Sequence, residues 1–134
     1  MAVTGDDLYL LHADGHLSTC TFSRIDDAPT RCTDPAPFVD NYPAHRDIDI
    51  FAPAHFTQLT LTTPPNPVVL LLDADRRSVY RLSANSLEYQ NQVTGYAGEA
   101  SPFKAGPAGA VAVSPNYILY LSIENQVYFA SNLP

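Results

Sequence analysis

The chain has 134 residues, 46% of them apolar and 16% charged, with 12 Pro, 6 Gly, 2 Cys and no Trp. That is the make-up of one soluble globular domain spanning residues 1–134, and its longest apolar runs, such as Val68 to Leu72, fall far short of the roughly 20 residues that cross a bilayer, so membrane insertion is excluded. Fourteen Asp and Glu against seven Lys and Arg leave a formal charge of -7, a field that repels polyanions, so nucleic acid is not an expected partner.

Taken in chain order, Met1 to Gly5 reads as a short first strand. The start MAVTGDDLYLL lacks a basic segment leading into an apolar stretch of roughly 7 to 15 residues, so no signal peptide is visible. The expectation is a cytoplasmic protein if the chain is complete, and an extracytoplasmic one if it is a fragment of a secreted or membrane-anchored protein. Asp7 to Ser23 reads as a hairpin turning at Asp14 and Gly15, and Thr30 to Thr33 as a further strand beyond a loop from Arg24 to Pro29. If Phe22 faces Thr30, antiparallel pairing sets Cys20 opposite Cys32, about 4.5 Å apart at Cα in a non-hydrogen-bonded pair and within disulfide range. Two half-buried thiols fit the same positions. Neither these cysteines nor His12, His16, His45 and His55 are spaced as a zinc ligand set, so no metal and no cofactor is expected.

The segment DNYPAHRDIDIFAPAHF is the densest chemical neighbourhood, with Tyr42, His45, Arg46, Asp47, Asp49 and His55. A His beside a carboxylate can act as a general base. Here, however, Asp47, Asp49 and Phe51 alternate with Ile48 and Ile50, as along a half-exposed strand. Long connections concentrate binding function, which makes Tyr42, His45 and Arg46 the first choice for a contact surface. Strands are then expected over Phe56 to Thr62, Val68 to Asp73, Val79 to Ser83 and Leu87 to Thr94. After KAGPAGA, which lacks the GK[ST] ending of a phosphate loop, they resume over Ala110 to Ser114, Tyr117 to Ile123 and Gln126 to Ser131. No window carries a helical apolar period, and proline sits at segment edges, so the chain reads as all-β.

Three stretches match by position: DLYLLHADGHLSTCTFS, VVLLLDADRRSVYRLS and YILYLSIENQVYFAS. Leu11, Leu72 and Leu121 align, followed by His12, Asp73 or Ser122, then an acidic turn, then a second strand with Leu17, Val79 or Val127. The offsets from His12 to Asp73 and from Asp73 to Ser122, roughly 60 and 50 residues, fall at the upper end of propeller-blade periods. The pattern, LLLDADRRSVYRLS above all, resembles the β-propeller superfamily, in particular NHL and YWTD-like blades. Blade-like units of about 1–40, 41–98 and 99–134 follow from it. The copies are unequal, no WD dipeptide occurs, and three blades are fewer than a ring usually has. A β-sandwich or barrel is the alternative.

An open wedge of blades would leave two lateral faces apolar and two strand edges unpaired. Such a wedge is expected to be the portion of a larger propeller or to pair with a second copy into a closed ring. The resemblance implies a ligand face built from the hairpin turns: His12, Asp14 and His16; Asp73, Asp75, Arg76 and Arg77; Glu124 and Asn125. Asp and Asn also favour such positions merely because they close turns. Asp73-Ala74-Asp75 opens like a calcium loop, but the Gly and Glu that complete one are absent. No nucleophile-elbow or zinc-protease motif occurs. The expectation is therefore a non-catalytic module that binds protein or peptide. The alternatives are part of a propeller hydrolase or lyase, or a carbohydrate-binding propeller suggested by the eight Tyr.

Overall fold

The computed structural model describes residues 1–22, 30–38, 55–62, 66–94 and 107–131. Among these it is all-β, with eleven strands and no helix. The first sheet contains β1 (Ala2–Thr4), β2 (Asp7–Leu11), β3 (Leu17–Thr21) and β4 (Arg31–Cys32). The second contains β5 (Phe56–Leu61), β6 (Val68–Asp73), β7 (Ser78–Ser83) and β8 (Tyr89–Thr94), and the third β9 (Ala108–Val113), β10 (Leu119–Ile123) and β11 (Gln126–Ala130). Every pairing is antiparallel and joins strands adjacent in the chain. Each sheet is thus a meander, which short turns between neighbouring strands dictate.

The sheets stack face to face with the second in the middle. β6 shows why: it is an almost unbroken aliphatic run, and all six of its residues are buried. Val69 and Leu71 point with Tyr80 and Leu82 towards Tyr9 and Leu17 of the first sheet. Val68, Leu70 and Leu72 point with Val79 towards Val111, Leu119, Leu121 and Ile123 of the third. A strand covered on both faces needs no polar alternation, and each such side chain contributes about 1.5–3 kcal/mol. The first strands of the sheets also lie close together, β1 against β5 and β5 against β9. No backbone ladder joins β5 to β9. Instead the Gln58 amide bonds the Val111 backbone twice, Nε2 donating to the carbonyl at 2.6 Å and Oε1 accepting the N–H at 2.9 Å.

In the first sheet Cys20 pairs with Cys32 in register, and the two are joined as a disulfide with Cα atoms 4.0 Å apart. β4 has only two residues, and the cross-link joins backbone bonds between Thr33 and Thr19 and between Ala36 and Leu17 in holding this edge. Closing a loop of this length contributes about 2–4 kcal/mol.

Three strand starts differ by two residues from the sequence expectation: β9 begins earlier, at Ala108 and not Ala110, and the other two begin later. Leu87 and Tyr117 are apolar and were placed in strands, yet both take positive φ, 56° and 64°, inside turns closed by Leu87 N–H to the Ser83 carbonyl and Tyr117 N–H to the Ser114 carbonyl. The strands begin at Tyr89 and Leu119 instead. The repeat alignment also needs correction in its last copy. Leu11 and Leu72 face the sheet that follows them in the chain, whereas Leu121 faces the one before it. Side chains alternate along a strand, so an offset of one residue reverses the face. The counterpart of Leu72 in the third sheet is Ser122.

Candidate functional site

Of the residues singled out in the sequence, Tyr42, His45 and Arg46 lie outside the described residues. The others divide by what their side chains hold. Asp73 ends β6 with its carboxylate 1% exposed. Its Oδ1 accepts the Arg76 backbone N–H and its Oδ2 the Arg76 guanidinium, both at 3.3 Å, so this pair closes the β6–β7 turn from within. Burial pushes the Asp73 carboxyl above the usual aspartate value, although Arg76 pulls it down. Arg77 completes the turn at φ 53°, its N–H donating to the Ala74 carbonyl at 3.2 Å. The same loop is tied to the third sheet, because Ala108 N–H donates to the other side of the Ala74 carbonyl at 2.8 Å.

Asp75 points outward and meets His55 Nδ1 at 3.0 Å, with both side chains about two-thirds exposed, at 67% and 65%. A pair that open to water contributes about 0–1 kcal/mol and forms no enclosed acid–base centre. In the β2–β3 turn, Asp14 accepts the His16 backbone N–H at 3.1 Å, and His12 Nε2 bonds the buried Ser18 hydroxyl at 2.9 Å. Glu124 supplies the positive φ, 54°, that the β10–β11 turn requires. Most of these polar side chains therefore shape their own turns. Among the described residues no three His, Cys, Asp or Glu side chains gather into a group able to hold a metal ion.

A concavity among the described residues lies elsewhere, between the first sheet and the β7–β8 turn. It is a groove of about 320 Å³ with Leu17, Phe38 and Leu87 as apolar lining, and Asp34, Asn85, Ser86 and Glu88 as polar lining. Its walls are fixed. Pro35 and Pro37 lack N–H groups, so Ala36 is the single donor of that tripeptide. It donates to the Leu17 carbonyl at 3.0 Å and accepts from Leu17 N–H at 2.8 Å. Phe38 packs edge-on to Phe56 at 5.3 Å and stacks on Tyr80 at 5.6 Å, which pins the segment to the second sheet. The opposite wall is held by the Tyr9 hydroxyl donating to the Ala84 carbonyl at 2.7 Å. Burial, with Asp7 adding to it, raises the Tyr9 phenol above its ordinary value, so Tyr9 stays a neutral donor.

Sequence reading missed this groove. Its walls come from residues about fifty positions apart, and its one local sign is the Pro-Ala-Pro of residues 35–37. No protein-family model matches the chain, and no curated protein or solved structure does either.

Proposed function

We propose that the chain is a β-propeller portion that acts as a non-catalytic recognition and scaffold module for protein or peptide, with the groove beside Phe38 as its contact site. The observation that carries this reading is the stacking of three consecutive antiparallel meanders whose first strands lie side by side. That is how blades succeed one another around a propeller axis. The repeat of aliphatic strand, acidic turn and second strand supports it from the sequence.

The groove of about 320 Å³ has Leu17, Phe38 and Leu87 as its apolar lining, and Asp34 and Glu88 add carboxylates to it. The formal charge of -7 favours approach by cations at long range. A segment with one aliphatic or aromatic residue flanked by Lys or Arg is the matching ligand. Two fluorescent decapeptides, a central Leu flanked by Arg in one and by Glu in the other, test this by anisotropy. Saturable binding of the Arg peptide alone, weakened at least about tenfold by Glu88→Lys, is expected; a tenfold change is 1.4 kcal/mol. Equal or unsaturable titrations for both peptides would remove the groove as the site.

A further inference from the structure

One wall of the groove is the segment from Thr33 to Phe38. Every residue from Arg31 to Pro37 is exposed and Phe38 is half-buried, so the bonds that hold this wall are open to water. Among the described residues they are Thr33 N–H to the Thr19 carbonyl at 2.8 Å, Thr19 N–H to the Thr33 hydroxyl at 3.0 Å, the exchange between Ala36 and Leu17, and the Phe38 ring contacts. Water-exposed backbone bonds on a short edge open at low cost. The covalent tie stands directly before them, at Cys32 in the two-residue β4. Neither cysteine belongs to the two apolar clusters that hold the sheets against one another. Opening the disulfide therefore removes a support of the wall and leaves the packing of the stack in place.

We infer that the Cys20–Cys32 disulfide is a site of thiol–disulfide exchange at which a dithiol reductant attacks Cys32, and that its opening releases the groove wall and weakens peptide binding. The effect on binding rests on the groove reading above; the release of the wall does not. The two sulfurs differ in access, because Cys20 is 1% exposed whereas Cys32 is exposed on an edge strand. Exposed disulfides are the labile ones. A thiolate of the reductant bonds to Cys32 Sγ as the Cys20–Cys32 bond breaks, and the electron pair of that bond leaves on Cys20 Sγ, which takes a proton from water. The second thiolate of the reductant then attacks its own sulfur in the mixed disulfide, closing the reductant's internal disulfide and freeing Cys32 as a thiol. The protein gains two electrons and two protons, and the dithiol loses them. These are the chain's only cysteines, so no reshuffled pairing competes.

The whole chain, oxidised or treated with dithiothreitol, tests this by mass-resolved hydrogen exchange and by anisotropy with the Arg peptide. On reduction, residues 31–38 should exchange at least about tenfold faster while β6 and β7 keep their rates. The peptide dissociation constant should rise at least about tenfold, since only molecules with the wall in place bind. Cys20→Ala with Cys32→Ala should behave as the reduced chain does, with or without dithiothreitol. For the point of attack, the Cys32 thiol of Cys20→Ala should react with a dithiopyridine reagent at least about tenfold faster than the Cys20 thiol of Cys32→Ala; equal rates overturn attack at Cys32. Complete reduction, with both cysteines titrating, that leaves exchange over 31–38 unchanged overturns the inference. So does faster exchange throughout all three sheets, because the disulfide would then hold the fold and not the wall. A released wall with unchanged affinity overturns the coupling to binding. Release confined to 31–38 in a chain that fails to bind the Arg peptide even when oxidised supports the exchange site and removes the groove reading.

Discussion

Asp73 holds its own turn from within the fold. Its carboxylate is out of water and opposed by one guanidinium at 3.3 Å. Because burial raises its pKa, the folded chain keeps a proton that the unfolded chain has already lost, in a window that opens at the ordinary value of 3.8 and extends upward. The unfolded state binds fewer protons there, so stability is fullest below that value and falls as pH rises through the window. Asp73→Asn keeps an oxygen that can accept the Arg76 N–H but cannot titrate. The difference between wild-type and variant urea midpoints should therefore shift in the variant's favour as pH rises from 3.8, and stay level above the window. A pH-independent difference would contradict the burial cost. The type of this residue and its place in a turn were legible in the sequence. Its inward orientation was not, since that follows from the third sheet meeting the turn at Ala74.

At the level of strands, alternation and turn chemistry carried far. The three meanders, the Cys20 and Cys32 register and the dense core of β6 all follow from apolar runs punctuated by Asp, Asn, Gly and Pro. What failed was local. Leu87 and Tyr117 read as strand residues because propensity sees an aliphatic or aromatic side chain. The backbone there is left-handed, and the Leu87 side chain still reaches the core. The slip of one residue between Leu72 and Leu121 lies at the hairpin: the turn runs from Asp73 to its partner Ser78 in the second sheet but only from Ile123 to its partner Gln126 in the third, so matching the copies by their acidic turns sets β10 one residue out. Leu72 and Leu121 nonetheless meet in one cluster from opposite sides, at 0% and 6% exposure. Replacing either by Ala should cost about 2–5 kcal/mol in urea unfolding, with the loss at Leu72 the larger because that site is closed on all sides. Losses under about 1 kcal/mol at both positions would refute the packing of second on third sheet.

Across the whole molecule, the site was the least legible part. The groove is made by the Pro-Ala-Pro segment and the β7–β8 turn, which only the stacking of sheets brings together. The two outer faces were expected in outline from an open wedge, but which residues line them depends on strand parity. The middle position of the second sheet has a consequence for motion. Strand pairing joins only chain neighbours, so each meander closes its own short loops and can open on its own, while the links between sheets are side-chain packing, the Gln58 amide, the Tyr9 hydroxyl on the Ala84 carbonyl and one backbone bond from Ala108 N–H to the Ala74 carbonyl. Amide hydrogens should then exchange in tiers. Those of β6 and β7 should be released only by global unfolding, and those of β1, β4 and β11 by cheaper local excursions, as mass-resolved exchange would record. Uniform protection across all three sheets would mean one cooperative block. Graded protection would instead mean that the outer sheets can loosen and re-form while the centre keeps its place, letting the outer faces adjust to whatever they meet without endangering the fold.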